Sequence, residues 1–289
     1  MLNNIALSRR SLIAAAAAVV GVGSLAACGT SGDTSAAGGS SAEGGSQTLT
    51  VAASPSPHAE ILNDFAADKL AEQGIALEVK EYTDYILPNQ DVSAGEIDCN
   101  YFQHINYLNN YNEENGTDLV NVGKIHFEPM GVFAGKSDDL ANIADGATIS
   151  VPNDATNEGR ALLLLQEHGV ITLSESAGIT ATPNDIVDNP HNVEILEQEA
   201  AMLPSTLADV DFAVINGNYA IDAGLTLADA VAQESADSDV IKNEYANVIV
   251  TRPELEDDER IKALVDVLTT DEFKEYLADT FGDSVQAAF

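Results

Sequence analysis

Arg160 is the only arginine between Arg10 and Arg252, and the residues before it are of the kind that build an anion site. Ile149 and Val151 alternate as in a strand, Pro152 breaks the run, a polar loop follows, and residues 161–165 are apolar as in a helix. Asp154, Thr156 and Asn157 are helix-capping types, so several backbone N–H groups are expected to point at one spot where the helix begins. Arg160, read as lying in that first turn, would grip a carboxylate through two parallel hydrogen bonds beside the positive end of the helix dipole. The competing reading is an ordinary ion pair with a nearby surface Asp or Glu, a contact worth little.

Other chemistry finds less support. The five histidines (58, 104, 126, 168 and 191) are scattered without metal-ligand spacing, and no serine sits in a nucleophile elbow. Cys99, in Gly95-Glu96-Ile97-Asp98-Cys99-Asn100 at the end of an expected strand, reads as a small packing residue rather than a nucleophile paired with His104. Nothing resembles a nucleotide-binding Walker loop. No catalytic residue, metal or cofactor is expected.

Strand and helix signals alternate through the body. Strands are expected at 48–53, 76–81, 97–101, around 119–123 and at 130–134; helices at 57–73, near Pro88 and at 104–115. After Lys136 the pattern restarts, with strands at 148–151, 193–197 and 212–216 and helices at 160–168 and 204–208. A strand at 245–251 would rejoin the first unit, and helices at 260–268 and 272–281 would pack on it. The expected fold is therefore α/β with two lobes of parallel sheet covered by helices, a cleft between them and two crossover segments. Lobe 1 comprises 48–135 and 245–289, and lobe 2 comprises 136–244.

The first 47 residues stand apart. Two arginines, an apolar run over 12–25 and Leu25-Ala26-Ala27-Cys28 form an export signal, too short and too rich in Ala and Gly for a membrane span. Small residues before a cysteine resemble the bacterial lipobox, so residues 1–27 read as a lipoprotein signal peptide and Cys28 as the lipidated first residue. Ser8-Arg9-Arg10-Ser11-Leu12 also resembles a twin-arginine signal. Residues 28–47, rich in Gly and Ser, read as a flexible tether spanning on the order of 25 Å. The formal charge of −35 becomes −37 once the two signal arginines are removed, which excludes nucleic acid as a partner.

Four segments in order, Tyr85-Ile86-Leu87-Pro88-Asn89, Asp98-Cys99-Asn100-Tyr101-Phe102-Gln103-His104, Val151-Pro152-Asn153-Asp154-Ala155-Thr156-Asn157-Glu158-Gly159-Arg160 and Ala213-Val214-Ile215-Asn216-Gly217-Asn218-Tyr219-Ala220, resemble the NlpA-type lipoproteins. These are the methionine-binding components of ABC importers, with the two-lobed fold of periplasmic binding proteins. The resemblance covers nearly all of 48–289. It implies a lipid-anchored receptor on the extracytoplasmic face of the cell membrane that passes L-methionine to a permease driven by a separate ATPase, and a monomer is expected. It places Tyr85, Phe102, His104 and Tyr107 around the thioether, Arg160 and the Asn157 loop at the carboxylate, and the Asn216 amide oxygen at the ammonium. Singly, Phe102 and Tyr107 also read as core, His104 and His58 as helix caps, and Asn216 as part of a turn with Gly217. Tyr101 and Asn106 depart from the Ala and Pro of many members, which points to a changed pocket. The alternatives are another small apolar amino acid, D-methionine or a methionine-containing dipeptide as guest, or a surface lipoprotein without transport function.

Overall fold

The computed structural model describes residues 47–235 and 244–289. The expected signal peptide, the lipidation site Cys28 and the tether lie outside the described residues, except Gln47, which already belongs to a strand. Two sheets organise the chain.

The first lobe opens with β1 (Gln47–Ala53), followed by helical turns at Pro55–Ala59 and Leu62–Ala66 and by α1 (Ala67–Glu72). Then come β2 (Ile75–Glu81), α2 (Leu87–Ala94), β3 (Cys99–His104), α3 (Ile105–Asn115) and β4 (Val120–Phe127). The second sheet uses β5 (Gly131–Ala134) and β6 (Thr148–Pro152), with α4 (Ala155–Glu167) after them. The ribbon of β7 (Thr172–Leu173) and β8 (Ile186–Asp188) precedes β9 (Glu194–Gln198), α5 (Leu203–Thr206), β10 (Phe212–Ile215), α6 (Gly217–Asp222) and β11 (Ala230–Gln233). The chain then returns through β12 (Asn247–Thr251) and ends in α7 (Glu259–Val267), α8 (Asp271–Phe281) and β13 (Gln286–Ala287).

The strand order is β13-β4-β12-β3-β1-β2 in the first sheet and β11-β5-β10-β6-β9 in the second. Alternation along each central strand feeds a core on both faces. Leu49, Val51 and Ala53 pack with Phe65, Ile261 and Phe273, whereas Ala52 faces Val92, Leu108 and Val250. In β10, Phe212 and Val214 join one core and Ala213 and Ile215 the other.

Three expectations change. The sheets are mixed: β12 runs antiparallel to β3 and β4, and β5 runs antiparallel to β10 and β11. The segment expected to close lobe 1 at residue 135 pairs instead in the second sheet, so the chain crosses between Phe127 and Gly131; an apolar run such as Gly131-Val132-Phe133-Ala134 carries no local mark of which sheet it will join. Third, Cys99 begins its strand rather than ending it, and is buried in the first core, where burial pushes its thiol pKa up.

The two crossings touch. Glu234 N donates to Met130 O at 3.0 Å, and Met130 N donates to the Glu234 carboxylate at 2.8 Å.

Candidate functional site

One cavity, about 330 Å³ counting the space open to solvent, lies between the lobes, and all seven residues singled out in the sequence line it: Tyr85, Phe102, His104, Tyr107, Asn157, Arg160 and Asn216. Gln103, Glu128, Gly217, Asn218 and Asn247 line it too.

The first lobe contributes the rings. Tyr85 precedes α2, Phe102 comes from β3 and Tyr107 from α3, and their centroids stand 5.8 to 5.9 Å from one another, within the range of favourable edge and tilted contacts. A bulge places Phe102. Tyr101 pairs with Ile249 and Gln103 with Val248, so Phe102 is the extra residue, and the ladder is broken where a side chain is redirected. The Tyr107 hydroxyl donates to Tyr85 O at 3.0 Å.

His104 serves two purposes. It caps α3, its Nδ1 accepting from Tyr107 N at 3.1 Å, which leaves the proton on Nε2 to be donated across the cleft to Asn157 Oδ1 at 3.1 Å. Burial, followed by the nearby charge of Arg160, lowers its pKa to about 3, so the ring is neutral. Tyr85 Oη also crosses, donating to Asn218 Oδ1 at 2.5 Å, as does Tyr219 Oη to Thr83 O at 3.2 Å.

The second lobe supplies the polar end, with two corrections. α4 begins at Ala155, so Arg160 lies in its second turn, not its first. One of the N–H groups expected to await an anion is already engaged: Asp154 caps the helix, accepting from Asn157 N at 3.1 Å, and it also takes the Asn157 Nδ2 at 2.9 Å. Asn157 is therefore a brace. Its Oδ1 takes both His104 and Asn216 Nδ2, the latter at 2.8 Å, which leaves Asn216 Oδ1 buried with no partner among the described residues.

Arg160 is 4% exposed, which rules out a surface ion pair, but it is not unpaired. Its Nε and Nη2 donate to Glu234 at 2.7 and 2.6 Å, and Nη2 also donates to Glu128 O at 2.9 Å. Tyr245 stacks beneath the guanidinium, 4.3 Å from ring centroid to Cζ. Among the described residues Nη1 donates to none.

Glu128, in the first crossing, went unnoticed in the sequence because no motif marks it. Its Oε1 lies 2.6 Å from His126 Nε2 and 3.4 Å from His58 Nε2. Burial raises its pKa, against which His58 and Arg160 act. Ligand-type atoms of the three side chains fall within 4.8 Å of one another, but hydrogen bonds to Tyr101 and Asn247 use the same rings, which makes the group a set of donors to a carboxylate. His58 thus neither lines the cavity nor caps a helix. Tyr101 is in the first core with its hydroxyl on His126, and neither Tyr101 nor Asn106 is among the lining residues.

The NlpA lipoprotein family model matches residues 49–289. The chain belongs to the NlpA lipoprotein family. Its relatives include the D-methionine-binding lipoprotein MetQ of Salmonella typhimurium, 41% identical over 220 residues, 75% of this chain and 78% of its own. A crystal structure of a lipoprotein from Ruminococcus gnavus matches with a TM-score of 0.81 and 49% identity, covering 83% of this chain and 99% of its own. A nutrient binding protein from Burkholderia cenocepacia, bound to methionine, matches with a TM-score of 0.78 and 38% identity over 83% of this chain and 100% of its own. The two-lobed substrate-binding architecture expected from the sequence is therefore that of the family.

Proposed function

We propose that this chain is the receptor of an ABC importer, anchored through Cys28 on the extracytoplasmic face of the membrane, and that it binds methionine between its lobes as a monomer. It hands the guest to a permease served by a separate ATPase and performs no chemistry on it. The observation that carries this reading is one cavity lined by a guanidinium, a buried amide oxygen with no partner among the described residues and three rings in mutual contact.

A free amino acid is a zwitterion, so its two charges need opposite partners. Arg160 Nη1 faces the carboxylate, while Asn216 Oδ1 and Glu128 receive the ammonium; such charge-assisted bonds are worth roughly 1.5 to 3 kcal/mol each. The side chain then lies among Tyr85, Phe102 and Tyr107, where sulfur near a ring gains roughly 0.3 to 1.5 kcal/mol. The names of the relatives include both methionine and D-methionine, and Asn216 and Glu128 would receive the amine from different sides of the α-carbon in the two isomers.

Calorimetry with L-methionine, D-methionine, norleucine and a methionine dipeptide tests this. L-methionine should bind saturably, ahead of norleucine by up to about tenfold, and Arg160→Ala should abolish binding. Undiminished affinity in that variant would overturn the proposal, and a chain that melts at the same temperature with every ligand would be a surface lipoprotein of another kind.

A further inference from the structure

Beneath the amine end of the cavity the buried side chains of Tyr101, His126 and His58, none of which lines it, converge on Glu128, which does. The Tyr101 hydroxyl meets His126 Nδ1, and His126 Nε2 meets Glu128 Oε1 at 2.6 Å. Burial holds the Tyr101 pKa well above its usual value, so the phenol keeps its proton and donates. His126 Nδ1 must then accept, and Nε2 carries the hydrogen that is given to Glu128. His58 Nε2 lies 3.0 Å from Asn247 Oδ1. An amide oxygen only accepts, so this nitrogen also carries a hydrogen, and its second neighbour is the same Glu128 Oε1.

Both rings are wholly buried, and burial lowers the pKa of His58 to about 4 and that of His126 to about 3. His126 acts on Glu128 as a neutral N–H donor, and neutral His58, whose Nε2 hydrogen goes to Asn247, stands beside the same oxygen at 3.4 Å. On the other side the nearby Asn218 backbone N–H favours the ionised carboxylate, and a Cβ on Gly217 would lie 2.6 Å from Glu128 Cβ. The remaining charged or titratable neighbours are Arg160, paired with Glu234, and Tyr85. Arg160 forms its ion pair with the Glu234 carboxylate and meets Glu128 through the backbone O, so among the described residues the Glu128 carboxylate has no Arg or Lys paired to it.

Resting on the reading of the cleft as an amino-acid site, we propose that His126, oriented by Tyr101 and assisted by His58, is a positioning residue that keeps Glu128 ionised and aimed at the guest's amine. The relay makes the site select a free ammonium over a hydroxyl of similar size. A fixed donor at 2.6 Å, with the His58 N–H beside it at 3.4 Å, stabilises the carboxylate against the burial that disfavours it. Without them Glu128 takes up a proton at higher pH and presents a donor where the ammonium needs an acceptor.

The test is a calorimetric cycle on the full chain, with L-methionine and the 2-hydroxy acid that differs only in having hydroxyl for ammonium, between about pH 6 and pH 8. His126→Leu should weaken methionine by about 10- to 100-fold, more at the acid end, while the hydroxy acid changes by less than about threefold. Glu128→Gln should erase the same preference, and the double variant should bind like Glu128→Gln alone. His126→Gln, whose amide can donate, should recover most of the affinity. Tyr101→Phe, which removes one hydroxyl, should shift the pH profile in the same direction, and it carries the test should His126→Leu not fold. Equal loss for both ligands, a double variant weaker than Glu128→Gln by a further tenfold, or an unmoved profile in Tyr101→Phe would overturn the relay. Binding that strengthens with added zinc and fails in EDTA would overturn it as well. Wild-type protein that ignores methionine would bring down the receptor reading itself, a different result from intact binding with an additive cycle.

Discussion

Arg160 and Glu234 form a two-pronged buried ion pair, Nε to Oε1 at 2.7 Å and Nη2 to Oε2 at 2.6 Å, that ties α4 to the end of the second-lobe sheet where the chain starts back to the first. Since Glu234 also binds Met130 N, and Arg160 also binds Glu128 O, one guanidinium braces both crossings while it lines the cleft. The residue proposed to hold a carboxylate guest is thereby also the one that joins the two crossings.

That double duty separates variants that charge alone would not. Arg160→Met strands Glu234 without its cation and should destabilise the fold by about 3 to 5 kcal/mol, read from denaturant midpoints. Arg160→Lys keeps a charge but not the planar fork, so it should fold better than Arg160→Met yet still bind methionine at least about tenfold more weakly than wild type by calorimetry.

The hydroxyl of Tyr85 reaches Asn218 in the opposite lobe. Tyr85→Phe removes that bond and leaves the ring, so methionine affinity should fall by about 2- to 10-fold, corresponding to roughly 0.5 to 1.5 kcal/mol, with the loss in the dissociation rate as the lobes reopen sooner. Stopped-flow measurement of release checks this.

Gly217 is where the second lobe approaches the Glu128 side chain. A Cβ there would lie 2.6 Å from Glu128 Cβ and 3.1 Å from its Oε2. Gly217→Ala should displace Glu128 from the amine end and weaken methionine by more than about tenfold, whereas Gly224→Ala, with open space around it, should cost stability through its left-handed backbone and leave affinity unchanged. Binding and melting curves of the two variants distinguish these effects.

Three buried histidines make stability depend on pH. His58, His104 and His126 titrate near 4, 3 and 3 in the fold instead of 6.5. The unfolded chain therefore takes up protons that the folded chain refuses, so stability is full above about pH 6.5 and falls as the solution is acidified. The loss should approach about 2 kcal/mol per histidine near pH 5, offset in part by Glu128, whose raised pKa acts in the opposite direction. His58→Gln should reduce the slope of unfolding free energy against pH by about one proton's worth between pH 6 and pH 4.5.

Much of this was legible one segment at a time. The alternation of Leu49, Val51 and Ala53, the break at Pro152 and the cap residues before α4 are short-range signals, and each formed the element it announced. Asp154 did cap its helix, yet by doing so it took the Asn157 N–H, one of those expected to face an anion. The bulge at Phe102 and the placement of β5 in the second sheet were invisible, because both depend on which strand lies alongside.

By itself, then, the sequence determined the residue types, the order of strands and helices and the four motifs that place the chain in its family. Only the tertiary structure decided that Arg160 would meet Glu234, 74 residues further on, and that Glu128 would rest on His58 and His126 at the floor of the cleft. Capping, turns and periodicity act over a few residues, whereas a buried charge takes whichever partner the packed sheets bring within hydrogen-bond reach.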